Sequence, residues 1–285
     1  MDSKSCFILG LPSAGKTSYL AALAYSLQQK QVETKLHWES FSGDHQYLAS
    51  LAETWLTAEP VSRTSTGLQQ TSLTICLNDC EGKIFNITFP DLSGETFQKQ
   101  YVDREIDRSL ADSIINGNGI LVFINPREII EPALISELPL AHRQEPISNT
   151  EIQERKPAND DPTEVQIVEL LQDIEFLTEN KKYKKIPLAI IVSAWDIIDD
   201  SYSIPETCIR ERTPLLWQFI KTNDDIFLTS YYGVSAQGGS LNTDEESECL
   251  IDQFETNPAE RIVVVNNAGE KSHDITLPLW EVMNK

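Results

Sequence analysis

One short motif near the start of this chain leaves little freedom in what can form around it. Gly10-Leu11-Pro12-Ser13-Ala14-Gly15-Lys16-Thr17 fits the pattern G-x-x-x-x-G-K-[ST] at every fixed position. It follows a short apolar run, Ser5 to Gly10, and opens a segment from Lys16 to Gln29 in which Leu20, Leu23 and Leu27 recur at helical spacing. Strand, glycine-rich loop and helix therefore come in immediate succession. The glycines let backbone N–H groups turn inward around an anion, and the helix N-terminus adds a favourable dipole. Lys16 is placed to neutralise the β- and γ-phosphates of a nucleoside triphosphate, and Thr17 to give its hydroxyl to Mg²⁺. Ser18 follows them into the same first helical turn and is counted with the nucleotide-binding residues.

The rest of the chain supplies strands and helices in alternation. A helical pattern covers Gln46 to Thr57, with Leu48, Leu51, Ala52 and Trp55 on one face, and Pro60 ends it. Leu73, Ile75 and Leu77 alternate with polar residues, and the turn Asn78 to Gly82 leads into Ile84 to Phe89, which predicts a β-hairpin. A polar helix with Tyr101, Ile106, Leu110 and Ile114 precedes a buried strand, Gly119 to Asn125. Helix Glu164 to Thr178 feeds strand Ile186 to Ser193, and helix Ile209 to Lys221 feeds strand Ile226 to Val234. A strand from Arg261 to Val265 and a helix from Thr276 to Met283 close the chain. Mostly continuous apolar strands between helices predict an α/β fold in three layers, with a mainly parallel sheet and one antiparallel hairpin near its edge.

With 285 residues the chain is long enough for one large domain. It is expected to be a single nucleotide-binding domain, 1–285, with helical or acidic insertions at about 32–62, 130–162 and 238–260. Acidic residues number 44 against 23 basic, a net charge of −21. Such a surface repels nucleic acid and anionic membrane, so neither is expected as a partner, and a triphosphate needs a dedicated site. No apolar stretch approaches membrane-spanning length, which together with the absence of a signal-like segment predicts a soluble, cytoplasmic protein. The five cysteines form no C-x-x-C pair and are expected as reduced thiols.

Strand Ile84 to Phe89 ends in Pro90-Asp91-Leu92-Ser93-Gly94-Glu95. An acid at a strand's C-terminal end beside a phosphate loop can hold Mg²⁺ through a water, and the Gly94 N–H can reach the γ-phosphate. Loss of that phosphate would release the segment, which makes it a switch. Two later strand ends carry Ser193-Ala194-Trp195-Asp196 and Ser235-Ala236-Gln237. Together these motifs resemble the P-loop GTPases of the translation-factor and Ras-like class (TRAFAC), with D-x-x-G at Asp91 to Gly94. The wording G-L-P-S-A-G-K-T, D-L-S-G-E and S-A-W-D further resembles the bacterial double-GTPase group associated with conflict systems. The resemblance runs from Phe7 to Trp280.

That resemblance implies a G-domain fold and guanine nucleotide as ligand. Asp196 would accept from the two guanine N–H groups that adenine lacks, and the Ala236 N–H would reach the guanine six-oxygen. Ser193 stands where the family carries Asn or Thr, and Ala194 where it carries the Lys whose stem covers the base. The family's switch-one threonine falls in Arg63-Thr64-Ser65-Thr66-Gly67, so Thr66 or Thr64 would join Thr17 and Asp91 at Mg²⁺. Glu95 occupies the place of the Gln that orients the attacking water, where it either holds that water or serves the start of a helix. Arg63 lies three residues before Thr66, the spacing of a cis arginine finger, and is otherwise a solvated turn residue.

The implied function is a GTP-binding switch with slow Mg²⁺-dependent hydrolysis, in which Lys16, Glu95 and Arg63 act on the γ-phosphate and a protein partner, basic if the acidic inserts are its contact surface, reads the state. A nucleotide-dependent scaffold that binds GTP or ATP with little hydrolysis, and an ATPase, are the alternatives.

Overall fold

The computed structural model describes residues 4–42, 45–59, 73–90, 94–132, 156–179, 185–198, 202–241 and 243–285. Within them the strands are β1 (Lys4–Leu9), β2 (His37–Ser42), β3 (Leu73–Asn78), β4 (Ile84–Phe89), β5 (Gly119–Ile124), β6 (Ile186–Ser193), β7 (Phe227–Ser235), β8 (Val263–Asn266) and β9 (Lys271–Ser272). They form one sheet in the order β2-β3-β4-β1-β5-β6-β7-β8-β9.

Apolar content decides where each strand sits. β5 (Gly-Ile-Leu-Val-Phe-Ile) is buried at every position, as befits a central strand covered on both faces. β3 and β4 alternate between buried and half-buried positions, the signature of strands with one face in the core. The run β4-β1-β5-β6-β7 is parallel throughout. Parallel pairing requires helical crossovers, and these divide the core in two. Cys6, Ile8, Leu121, Phe123, Ala189 and Ile191 pack on one face under α1 (Lys16–Gln29), α2 (His45–Leu56) and the last helix. Phe7, Leu9, Ile120, Val122, Leu188 and Ile190 pack on the other. That face is covered by α3 (Glu95–Asp103), α4 (Arg108–Asn116), α5 (Thr163–Thr178), α6 (Pro205–Arg212) and α7 (Pro214–Thr222). Each fully buried Leu, Ile or Phe contributes about 1.5–3 kcal/mol, so both layers are needed for stability.

The sheet departs from expectation at both edges. The expected antiparallel hairpin forms as β3-β4, and the sheet runs further on each side: β2 pairs antiparallel with β3, and β8 and β9 continue antiparallel beyond β7. Two expected helices are each divided. The segment around Tyr101 to Ile114 breaks at Arg104, which takes a left-handed conformation, and restarts where the Asp107 side chain accepts from Ser109 N. The segment Ile209 to Lys221 breaks before Pro214, which lacks the N–H a continuous helix needs and opens α7 instead. The polar segment 238–258 contains α8 (Asp244–Gln253), capped by Thr243 and carrying Asp244, Glu245 and Glu246 in its first turn, where a helix N-terminus favours acids.

The final helix, α9 (Leu277–Asn284), is tied to the front of the molecule. Tyr19 donates from its hydroxyl to Ile275 O at 2.7 Å, and the Asp274 carboxylate accepts from the N–H groups of Lys35 and Thr276, each at 2.8 Å. All five cysteines are free thiols. No helix among the described residues is long and apolar enough to cross a membrane.

Candidate functional site

Parallel strands deliver their C-terminal ends to one edge of the sheet, and β1 lies between β4 and β5, where the direction of winding reverses. Ligands of open α/β sheets bind at such a point. Every described strand-end motif of this chain opens there: Gly10 after β1, Asn125 after β5, Ser193 closing β6 and Ser235 closing β7.

The loop after β1 is bent by two left-handed residues, Ser13 (φ 62°) and Gly15 (φ 94°). Serine adopts that conformation at a cost that the surrounding turn must offset, as is common where backbone N–H groups are aimed at a ligand. Gly15 is the N-cap of α1 and offers no side-chain cap, and no acid occupies the helix's first turn. A helix start without an acid in its first turn favours an anion through its dipole. Lys16 is 3% exposed, and its ammonium donates to the carbonyls of Gly10 (2.6 Å) and Leu11 (3.1 Å). It thus lies folded across its own loop, buried beside the helix start.

Two glycines leave room that a side chain would fill. A Cβ on Gly15 would come within 2.8 Å of Ser193 Cβ. One on Gly94, which is also left-handed (φ 82°), would lie 2.6 Å from the Leu11 carbonyl carbon and from Pro12 N, and 2.7 Å from Lys16 Nζ. Gly94 therefore rests directly on the phosphate loop, and Glu95 opens α3 at the same place. Gly10 is packed less tightly, against the sheet, where a Cβ would sit 3.1 Å from Phe123 Cβ.

These parts enclose a cleft of about 370 Å³ lined by Pro12 to Ser18, Glu95, Asn125, Ser193, Ala194, Asp196, Ile197, Ala236, Gln237 and Gly239. Lys16 is the one cation among those lining residues. Ser193 is buried, and its hydroxyl lies 2.9 Å from Ala14 O and 3.2 Å from Ile124 O. It joins the end of β6 to the phosphate loop and to β5 with one proton. Ala194 is left-handed (φ 50°) and turns the chain into the 3₁₀ turn Trp195–Ile197, on which Asp196 is exposed to the cleft. Trp195 packs over Gly233 so closely that a Cβ there would fall 2.3 Å from the indole. Ser235 is buried behind the cleft, its hydroxyl accepting from Gly238 N at 3.0 Å, while Ala236 lines it.

Of the sequence-predicted residues, the cleft gathers Pro12 to Ser18, Glu95, Ser193, Asp196 and Ala236. Gly10, Leu11, Gly94 and Ser235 support it from behind. Asp91, Arg63, Thr64 and Thr66 lie outside the described residues, so of the three expected metal positions the structure places Thr17. Asn125, Gln237 and Gly239 were not singled out from the sequence. Asn125 donates from Nδ2 to Ser13 O at 3.2 Å and accepts from Arg127 N at 3.1 Å, pinning the loop residue with strained backbone. A lone polar residue directly after an all-apolar strand was the available signal.

The groups and spaces present fit a nucleotide: a left-handed glycine loop and a helix start with one buried ammonium at one end, and a carboxylate with two strand-end loops at the other. No curated protein matches the chain. Among solved structures, the S. cerevisiae Ski7 GTPase-like domain bound to GTP is similar at TM-score 0.45 and 19% identity, over 85% of this chain and 45% of that one. The Trypanosoma brucei Arl6 BBS3 small GTPase is similar at TM-score 0.40 and 9% identity, over 88% and 96%. The Chaetomium thermophilum signal recognition particle receptor SRb-GTP/SRX complex gives 0.40 and 12%, over 83% and 92%. The chain spans less than half the length of the Ski7 structure. A family model, Double-GTPase 1, matches residues 7–282, from the first strand into the last helix, and the chain belongs to that family.

Proposed function

We propose that this chain is a guanine-nucleotide switch that binds GTP with Mg²⁺ and hydrolyses it slowly. The observation that carries it is the convergence of the phosphate loop, Glu95, Asp196 and Ala236 on one cleft, with Gly94 against the back of that loop. The phosphates are held by the N–H groups of the loop and of α1, with Lys16 swinging from the loop carbonyls to the β- and γ-oxygens. Asp196 takes the guanine N–H groups, and the backbone of Ala236 and Gln237 faces the six-oxygen.

A single cation faced by Glu95 and Asp196 does not balance a triphosphate. Mg²⁺, when bound, neutralises charge on the β- and γ-phosphates, and Thr17 would hold it with Asp91 and Thr66 or Thr64. Phosphoryl transfer needs positioning and charge neutralisation rather than covalent help from the protein. Lys16 and Arg63 supply charge, and Glu95, at the start of α3, orients water. A carboxylate there places negative charge beside phosphate, which supports slow turnover. The acidic exterior, with α8 as one part of it, suits a basic protein partner, and the whole chain acts as one nucleotide-binding domain.

Calorimetric titration with GTP, GDP and ATP, with and without Mg²⁺, tests this. Mg²⁺-dependent GTP binding with ATP at least about tenfold weaker, a difference of 1.4 kcal/mol, is expected. Equal affinity for ATP would overturn the guanine assignment and leave the phosphate site standing.

A further inference from the structure

The loop that faces the base is braced by an element outside the sheet's parallel core. Trp55, near the end of α2, is fully buried, and its indole N–H donates to Ala236 O at 2.7 Å. The indole is itself fixed on its faces. The Arg261 guanidinium lies 3.9 Å from the ring centre and donates from Nη2 to Trp55 O at 2.5 Å, and the Tyr25 ring packs at 4.6 Å. Arg261 and Trp55 are both buried, and that burial holds the Arg261 pKa down at about 10. Arg261 also backs the far side of the loop, because a Cβ on Gly238 would lie 2.6 Å from Arg261 O. Residues 235–238 are thus held at Ala236 by Trp55, at Gly238 by the Arg261 backbone, and internally by Ser235.

A trans peptide directs its C=O and N–H to opposite sides, and the described chain contains no cis bond. With Ala236 O drawn toward Trp55, the N–H of Gln237 points the other way, and both residues line the cleft. Among the described residues no carbonyl takes the Gln237 N–H. A hydrogen bond from behind also polarises the peptide and strengthens the donor on its opposite side.

We propose that Trp55 is a positioning residue for the six-position of the purine: its N–H, held on Ala236 O, keeps the 236–237 peptide with its own N–H toward the cleft, so that a purine bearing a six-oxygen is preferred. This rests on the guanine reading of the cleft. It makes an insert helix, rather than the strand-end motif alone, part of base selection.

The discriminating ligand is 2-aminopurine riboside triphosphate, which keeps the two-amino group that Asp196 reads and lacks the six-oxygen and, with it, the N1–H; that second loss is the same for variant and parent, so the comparison between them reads the six-position. Trp55→Phe retains a ring for Arg261 and Tyr25 to pack on and loses the N–H. GTP affinity is expected to fall about five- to tenfold, the worth of one well-placed hydrogen bond, while affinity for the analogue stays within about twofold. An equal loss for both ligands, the mark of a general structural role, overturns the proposal, as does no loss for either. If the unmodified protein does not prefer GTP to the analogue, the guanine reading fails and Trp55 has no six-oxygen to serve. If it does prefer GTP and Trp55→Phe keeps the full preference, Trp55 alone is acquitted.

Should the variant not fold, the unmodified protein gives the same answer. In ¹⁵N-tryptophan-labelled protein the Trp55 indole N–H resonance should move more with GTP than with the analogue, and equal movement overturns the proposal.

Discussion

The α-carbon of Gly94 sits against the ammonium of Lys16, with room between them for less than a methyl group: a Cβ would lie 2.7 Å from Nζ. The candidate switch thus touches the charge proposed to serve the phosphates. Gly94→Ala adds that methyl, and it also forces alanine into a left-handed conformation at a cost of about 1–2 kcal/mol. GTP affinity is expected to fall at least about tenfold more than GDP affinity, since only the triphosphate needs the Gly94 N–H at its γ-phosphate. Paired titrations with the two nucleotides measure the ratio, and an unchanged ratio separates Gly94 from γ-phosphate sensing.

Lys16→Ala should abolish most triphosphate affinity and keep the fold, because the ammonium donates to backbone carbonyls of its own loop, those of Gly10 and Leu11. In thermal melts the unmodified protein at a hundredfold excess of GTP over its Kd should gain about 2.7 kcal/mol. The variant should melt normally without GTP and gain nothing with it. A full gain would remove Lys16 from the phosphate site.

Ser193→Ala tests the tie between β6 and the phosphate loop. It leaves Ala14 O and Ile124 O without their shared buried donor, which should cost about 1–2 kcal/mol and lower the melting temperature by about 2–4 °C for each kcal/mol. Nucleotide affinity should fall with it, since Ala14 belongs to the loop. A variant as stable as the parent would show the serine hydroxyl to be idle.

Asp196 is exposed at the far end of the cleft on its own 3₁₀ turn, so its substitution should spare stability. Asp196→Asn should weaken GTP and improve xanthosine triphosphate, whose ring offers an acceptor where guanine has an amine. Competition binding between the two nucleotides reads the exchange, and a retained GTP preference would reduce Asp196 to a turn residue.

Where the chain's physics is local, the sequence could be read directly. The run Gly119 to Ile124 could be only a central strand, and the glycine-lysine loop after β1 had to open at the same edge as the loops after β6 and β7. What escaped depends on distant partners. β2 (His-Trp-Glu-Ser-Phe-Ser) is an edge strand with an irregularity between Trp38 and Ser40 that breaks its alternation, and β3 alone gives it a ladder. Pro214 was legible as a helix breaker, yet the apolar spacing on either side of it suggested one helix. Trp55 could be recognised as a packing residue, but its hydrogen bond spans 181 positions to Ala236, and no local pattern encodes that separation. Asn125 depends in the same way on a loop more than a hundred positions earlier.

Gly233 sets the height of the turn that carries Asp196, because the Trp195 indole rests on its bare backbone. The residue acts as a shim of zero thickness: any side chain at position 233 would lift Trp195 and carry the neighbouring carboxylate with it. With Asp196 as the proposed reader of the base, base choice is tied to an atom that is missing from the middle of a strand, and even the smallest growth at that position, to alanine, would retune the cleft from beneath without altering a single residue that lines it.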